Sequence, residues 1–353
     1  MKSGTSMGTR DDDYKDDVEM KQLKPGSLVV DFLEMAKKRA GGGIDDALVK
    51  TMLYILRACK GISYELRRSA GTEKKGSQNV FGDEQLAIDL RADALLFKHL
   101  KDSGCVSVGS SEEKPQEIQL GGCGYCVAFD PLDGSSIIGT NFAVGTIFGV
   151  WPGSCLVGAN QTGRKQKAAG MAVYGPRTTI TLAIDSIKGS HEFMLMDDRT
   201  SASGQWVYTR SFYEIKEGKL FAPGNLRATN DNEGYKALVD YWVSNGYTLR
   251  YTGGMVPDVN QLLIRGKGIF VNATSNKHKA KLRLLYEVAP IAYIVEKAGG
   301  KSSTGTMSAL DQNITGCDIR TQVAYGSKKE VARFEKLVGK RFFGGQHAPK
   351  SAL

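Results

Sequence analysis

Over residues 45–68 the apolar side chains fall at Leu48, Met52, Ile55, Leu56, Cys59, Ile62 and Leu66. That three-and-four spacing predicts a helix with one buried stripe, entered at Ile44-Asp45. Residues 85–100 predict a second helix with Ile88, Leu95, Leu96 and Leu100 on its apolar side, and the charged, glycine-bearing stretch 69–77 between them reads as a loop. The period then shortens to two. Tyr125 to Phe129 is a short apolar run that predicts a buried strand ending at Asp130, and Cys105 to Val108 is another strand candidate. Phe142, Val144, Thr146, Phe148 and Val150 alternate with smaller residues until Trp151-Pro152-Gly153 closes the strand. Further strands are predicted at 170–174, 178–185, 192–196 and 268–272, and a helix at 235–244. Residues 282–298 predict a long helix interrupted at Pro290 and stopped by Gly299-Gly300. A final helix carries a capping box, Ser327 with Glu330 three residues on, ahead of Val331, Phe334, Leu337 and Val338.

Strands and helices alternate loosely, which predicts an α/β chain with α+β layering. The polar, turn-rich stretch 197–218 marks a junction, so the expected division is 27–205 and 206–343, with tails at 1–26 and 344–353. An acidic run at 11–17 resembles an epitope tag and is set aside from the fold. The chain has 353 residues, 41% hydrophobic and 24% charged, which suits a soluble globular protein of two domains or of one large domain with a sizeable core. No apolar run reaches the roughly 20 residues of a membrane span. Neither a signal nor a transit peptide is visible, so the expected compartment is the cytoplasm, with a plastid as the alternative for a processed chain. The net charge of +9 points to anionic partners: nucleic acid, anionic membrane or phosphorylated metabolites. Six cysteines without a signal peptide suggest a reducing compartment. Cys123 and Cys126 form a C-x-x-C with no second pair to complete a zinc site, and read as two half-buried thiols leading into a strand.

The densest chemistry lies in the seven residues from Asp130 to Ser136. Pro131 stiffens the turn and Gly134 releases it, so that Asp130 and Asp133 converge while the Leu132 carbonyl faces the same way. Hard cations such as Mg²⁺ take oxygen ligands of this kind. A helix starting after Gly134 would aim the N–H groups around Ser135 and Ser136 at a phosphate. A solvated acidic turn is the competing reading. Further carboxylates could join the turn in space: Asp83 and Asp89 at the second helix, Glu112 and Glu113 in a polar loop, and Glu287 inside an apolar run. A lone carboxylate is costly to bury, so Glu287 is expected to be paired or bound to a cation.

Together these segments resemble the fructose-bisphosphatase superfamily over most of the chain. The resemblance is carried by FGDEQ (81–85), FDPLDGSS (129–136), GTIFGVWPG (145–153), AVYGPRT (172–178), PGNLRA (223–228), LRYTGGMVPD (249–258), KLRLLYE (281–287) and EKAGG (296–300). The D-P-L-D-G core is shared with inositol-phosphate phosphatases, whereas GVWPG and PGNLRA look specific to the branch acting on a seven-carbon bisphosphate. The resemblance implies α/β/α/β/α layers with the active site where two domains meet. It implies metal ligation by Asp83, Glu112, Asp130, the Leu132 carbonyl, Asp133 and Glu287, with two or three Mg²⁺ ions. Asp89 and Glu113 would flank the attacking water, and Asp133, Gly134, Ser135 and Ser136 would hold the transferring 1-phosphate. Asn225, Arg250, Tyr251, Met255, Lys281 and Arg283 would line the sugar and the distal phosphate pocket.

The implied reaction is hydrolysis of a phosphorylated sugar. A six-carbon or dual substrate is the alternative, and an inactive scaffold with a basic binding surface is the alternative of another class. The residue matching Arg250 reaches a neighbouring subunit's site in the six-carbon enzymes, so a homo-oligomer is implied, a dimer ahead of a tetramer, with no nucleic-acid or membrane partner. The chain also departs from the pattern. The loop 69–79 has no cysteine where plant members of the branch carry a regulatory pair, which implies no thioredoxin control through it. Gly139 replaces an aspartate, and Val271-Asn272 stands where the six-carbon enzymes have a tyrosine. The nucleotide-binding segment for AMP is not recognisable, so AMP inhibition is not expected.

Overall fold

The computed structural model describes residues 23–38, 44–68, 74–78, 84–196 and 204–339, with 74–78 and 84–86 described as backbone alone. Asp83, the tail up to residue 22 and most of the loop between 69 and 83 lie outside the described residues. Strands β1 (Lys74–Gln78) and β2 (Glu84–Leu86) form a small antiparallel pair. The main sheet has eight strands: β3 (Val106–Ser111), β4 (Ile118–Gln119), β5 (Tyr125–Asp133), β6 (Val144–Pro152), β7 (Ala168–Tyr174), β8 (Thr178–Ile184), β9 (Ser190–Met196) and β10 (Gln205–Phe212). Their spatial order is β10-β9-β8-β7-β6-β5-β3-β4, and only β3 and β5 run parallel. A second sheet has five strands: β11 (Lys216–Gly224), β12 (Thr248–Leu249), β13 (Lys267–Asn272), β14 (Lys301–Ser303) and β15 (Val323–Gly326). Its order is β12-β11-β13-β15-β14.

Strand alternation sorts the side chains into three cores. On β5, Tyr125, Val127 and Phe129 face one core and Cys126 and Ala128 the next. The first core is closed by helices α1 (Val29–Lys37), α2 (Asp46–Arg68) and α3 (Ala87–Ser103). The middle core lies between the two sheets and takes in α5 (Met255–Arg265) and α6 (Ala289–Lys297). Beyond the second sheet, α4 (Glu233–Ser244) and α7 (Lys328–Phe334) close the third core around Trp242 and Phe334. The layers are therefore α/β/α/β/α, as the resemblance implies.

Several elements differ from the pattern-based expectation, each for a physical reason. β5 does not stop at Asp130 but runs on to Asp133, because Pro131 falls at an irregularity of the ladder where no N–H is required of it. β10 lies inside the stretch read as turn-rich; Trp206, Tyr208 and Phe212 are buried, but the register slips between Tyr208 and Arg210 and breaks the alternation. The sheets change between Phe212 and Lys216. α1 and α5 were not anticipated as elements, although Val256, Val259, Leu262 and Leu263 have helical spacing. The segment 282–298 is a π-helical turn at Leu284–Val288 followed by α6, with Pro290 in the first turn of that helix, where a missing N–H costs nothing. Half of the capping box forms: the Glu330 N–H donates to Ser327 Oγ at 3.4 Å, while the Glu330 carboxylate accepts from Trp242 and Tyr247. Cys126 is buried and Cys123 exposed, so only one of the two thiols packs into the strand.

Candidate metal centre and phosphate turn

Residues three apart on a regular strand point to opposite faces. Between Asp130 and Asp133 the β5–β6 ladder slips, with Asp130 opposite Ile147 and Asp133 opposite Gly145. One extra residue on β5 is a bulge, and it restores both aspartates to one side. The Thr146 hydroxyl donates to the Pro131 carbonyl at 2.8 Å and contacts the Tyr174 hydroxyl at 2.8 Å, which fixes the bulge from the neighbouring strand. Asp130 Oδ1 accepts the Leu132 N–H at 2.9 Å. Gly134 follows in the left-handed region at φ 83°, and a Cβ there would lie 3.3 Å from Gly254 Cα. A short 3₁₀ helix then covers Ser135–Thr140.

Two elements bring further carboxylates to this bulge, and a third clamps it. Glu112 stands directly after β3, and its N–H donates to the Phe129 carbonyl at 3.1 Å, which sets it beside Asp130. Glu287 comes from the π-helical turn, whose Tyr286 hydroxyl meets Ser110 Oγ at 2.8 Å at the end of β3. Asp133 Oδ2 accepts the Val256 N–H at 2.7 Å, so the turn is clamped onto the first residues of α5. Carboxylate oxygens of Glu112, Asp130 and Glu287 all lie within 4.8 Å of one another. Burial, with Glu112, Asp133 and Glu287 adding, raises Asp130 well above the ordinary carboxylate range. Burial and Glu112 do the same to Glu287. Asp133 is pushed up to about 7, chiefly by burial, against the opposing amides of Val256 and Met255.

Arg283, expected in the sugar and distal-phosphate pocket, places its guanidinium among these carboxylates instead. It pairs with Glu112, lies 4.0 Å from Glu287 and is buried. Its N–H donates to Glu287 Oε2 at 2.6 Å. One cation stands among four acids in a largely buried cluster. Carboxylate oxygens held together against their own repulsion are the donor set of a hard divalent cation, and the residues present fit such an ion.

The remaining expected site residues divide. Asp89 is buried in the first turn of α3, and Glu113 is half-buried in the turn after Glu112. Tyr251 is 46% exposed, and its hydroxyl is shifted upward by burial and then by the charges of Asp258 and Asp133. Met255 opens α5 and is buried. Arg250 and Lys281 are exposed. Asn225 has φ 49° and donates from Nδ2 to the Ala273 and His278 carbonyls at 2.8 and 2.9 Å, leaving Oδ1 to offer a ligand. Sequence reasoning missed Asp258, which accepts the Thr252 N–H at 2.8 Å and holds the 252–254 loop ahead of α5. The two glycines before an apolar helical pattern, Gly253-Gly254, were the available signal.

Residues 31–211 match the family model described as the fructose-1-6-bisphosphatase N-terminal domain, and residues 215–339 match that of the C-terminal domain. The chain is 51% identical over 334 residues to the chloroplastic sedoheptulose-1,7-bisphosphatase of Spinacia oleracea, covering 92% of this chain and 83% of that one. With the class 1 fructose-1,6-bisphosphatase of Trichlorobacter lovleyi the identity is 39% over 319 residues, covering 88% and 96%. Among solved structures, the holo form of Leishmania major fructose-1,6-bisphosphatase aligns with a TM-score of 0.78 at 30% identity, over 89% of this chain and 99% of that one.

Proposed function

The chain belongs to the fructose-1,6-bisphosphatase family, and from that premise we infer that it hydrolyses the 1-phosphate of sedoheptulose 1,7-bisphosphate, leaving sedoheptulose 7-phosphate. The observation that carries the chemistry is the convergence of Glu112, Asp130 and Glu287 beside the Asp133–Ser136 turn. The seven-carbon substrate is favoured because the likeness is higher to the sedoheptulose enzyme than to the fructose enzyme. The absence of the tyrosine at Val271-Asn272 supports the same choice.

We assign Glu112, Asp130, Asp133, Glu287 and the Leu132 carbonyl, together with Asp83 outside the described residues, to two or three Mg²⁺ ions. Bound there, the ions supply Lewis acidity to the phosphoryl group and lower the pKa of the attacking water. Ser135, Ser136 and the Gly134 backbone hold the 1-phosphate. Asp89 and Glu113 orient the water and take its proton as its oxygen attacks phosphorus. The bond from phosphorus to the sugar oxygen breaks on the opposite side, and that oxygen leaves as an alkoxide that takes a proton from solvent water, while the proton held by Asp89 or Glu113 returns to solvent. Asn225, Arg250, Tyr251, Met255 and Lys281 hold the sugar and the distal phosphate. Arg283 supplies a fixed positive charge between the carboxylates and the incoming phosphate.

The metal and phosphate half runs to the change of sheet between Phe212 and Lys216 rather than to residue 205, because β10 pairs with β9, and the sugar half follows, with the site between them. Arg250, Leu249 and Tyr251 are exposed together, which supports a homo-oligomer in which Arg250 reaches a neighbouring subunit, a dimer ahead of a tetramer. Among the described residues no helix is long and apolar enough to cross a membrane. The chloroplastic relative supports the plastid alternative over the cytoplasm. Comparison of kcat/KM for sedoheptulose 1,7-bisphosphate and fructose 1,6-bisphosphate tests the substrate: a preference of about tenfold or more for the seven-carbon compound is expected. Equal or reversed constants would assign the chain to the six-carbon or dual-specificity reading.

A further inference from the structure

Asp93 lies on α3 one turn beyond Asp89, so the two share a helix face. Its side chain is 0% exposed. Asp93 Oδ1 accepts the Ser111 hydroxyl at 2.6 Å, and Oδ2 accepts the Lys114 ammonium at 2.5 Å. Those two residues bracket Glu112 and Glu113. The turn between them is closed by its own backbone, with the Ser111 N–H to the Lys114 carbonyl at 3.2 Å and the Lys114 N–H to the Ser111 carbonyl at 3.1 Å. Lys114 also sits 4.9 Å from the centre of the Phe97 ring, the next turn of the same helix.

Packing alone does not call for a carboxylate at this position. The α3-to-sheet contact is already apolar, with Leu96 and Leu100 buried and Phe97 edge-on to Phe129 at 5.0 Å. Lys114 is 44% exposed, and an ion pair open to solvent on one side adds little stability, so the value of this one lies in the geometry it imposes. That geometry joins two parts of the site. α3 carries Asp89, the 111–114 turn carries Glu112 and Glu113, and Asp93 is a polar tie between them.

We propose that Asp93 is a positioning residue for the metal centre, holding the Ser111–Lys114 turn through both of its carboxylate oxygens so that Glu112 and Glu113 keep a fixed placement against Asp89 and Asp130. This rests on the metal assignment above. The test is direct Mn²⁺ binding, by electron paramagnetic resonance or calorimetry, to the chelator-treated full chain as wild type, Asp93→Asn, Ser111→Ala, Lys114→Met and Lys114→Arg. Thermal midpoints of the metal-free proteins are recorded beside it. Mn²⁺ affinity should fall about tenfold or more in Asp93→Asn and Lys114→Met, and less in Ser111→Ala, while Lys114→Arg keeps it. The Mg²⁺ concentration for half-maximal activity should rise in step, with substrate KM little changed.

Variants that lose thermal stability yet bind Mn²⁺ as tightly as wild type overturn the proposal, because a merely structural residue behaves that way. Should Asp93→Asn fail to fold, Ser111→Ala and Lys114→Met decide by the same readout. Wild type that binds no Mn²⁺ would overturn the metal assignment itself and this inference with it.

Discussion

Asp130, Asp133 and Glu287 are raised by burial and mutual repulsion, so the metal-free fold prefers them protonated. A carboxylate whose folded pKa lies above its unfolded value contributes stability that is full at acid pH and lost as pH rises through the folded value. For Asp133 that window runs from the ordinary value of 3.8 up to about 7. The chelator-treated protein should therefore melt at lower temperature as pH is raised from about 5 to about 8, and Mg²⁺ should restore the midpoint more strongly at the upper end. Thermal scans with and without Mg²⁺ check this; a metal-free midpoint that stays flat or rises with pH would contradict it. Glu287 was legible in the sequence because an acid inside an apolar run demands a partner. Arg283 was not, because a residue at the junction between extended chain and a helical turn can face either way, and only the placement of Glu112 decides it.

The bulge in β5 is the element on which the site turns. Sequence showed two aspartates three apart with a proline between them, which suggested a tight turn, while the structure has a continuing strand with one extra residue. Pattern reasoning cannot see this, because the bulge is defined by the partner strand, through Thr146 and the Asp133–Gly145 pairing. β6 must also admit α5 closely for Val256 to reach Asp133. A Cβ on Gly145 would lie 2.3 Å from Val256 Cγ1 and 2.5 Å from the Ala172 carbonyl. Gly145→Ala should cost about 1–3 kcal/mol by overpacking. The expected readout is a thermal midpoint several degrees lower together with a reduced kcat, since α5 can no longer hold the Asp133 carboxylate in place. An unchanged midpoint would show that α5 moves freely and does not position the turn.

At the scale of the whole molecule, five layers place four chain segments around one acidic cluster. A strand end, a bulge, a π-helical turn and the first residues of α5 meet where the eight-stranded sheet and the middle core adjoin. The mixed α/β class was legible from the alternating elements, and the layer count only through the resemblance. The positions of α1, α5 and β10 were not, since short or register-slipped segments carry too few periodic residues to stand out. The central claim is that this cluster makes the chain a metal-dependent sugar bisphosphatase. Its most direct measurement is phosphate release from sedoheptulose 1,7-bisphosphate by the chelator-treated chain before and after Mg²⁺, with Asp130→Asn alongside. Wild type should be inactive before Mg²⁺ and active after it, and Asp130→Asn should keep its fold with kcat down by about a thousandfold. Release that needs no metal, or a folded Asp130→Asn that turns over at nearly the wild-type rate, would contradict the account.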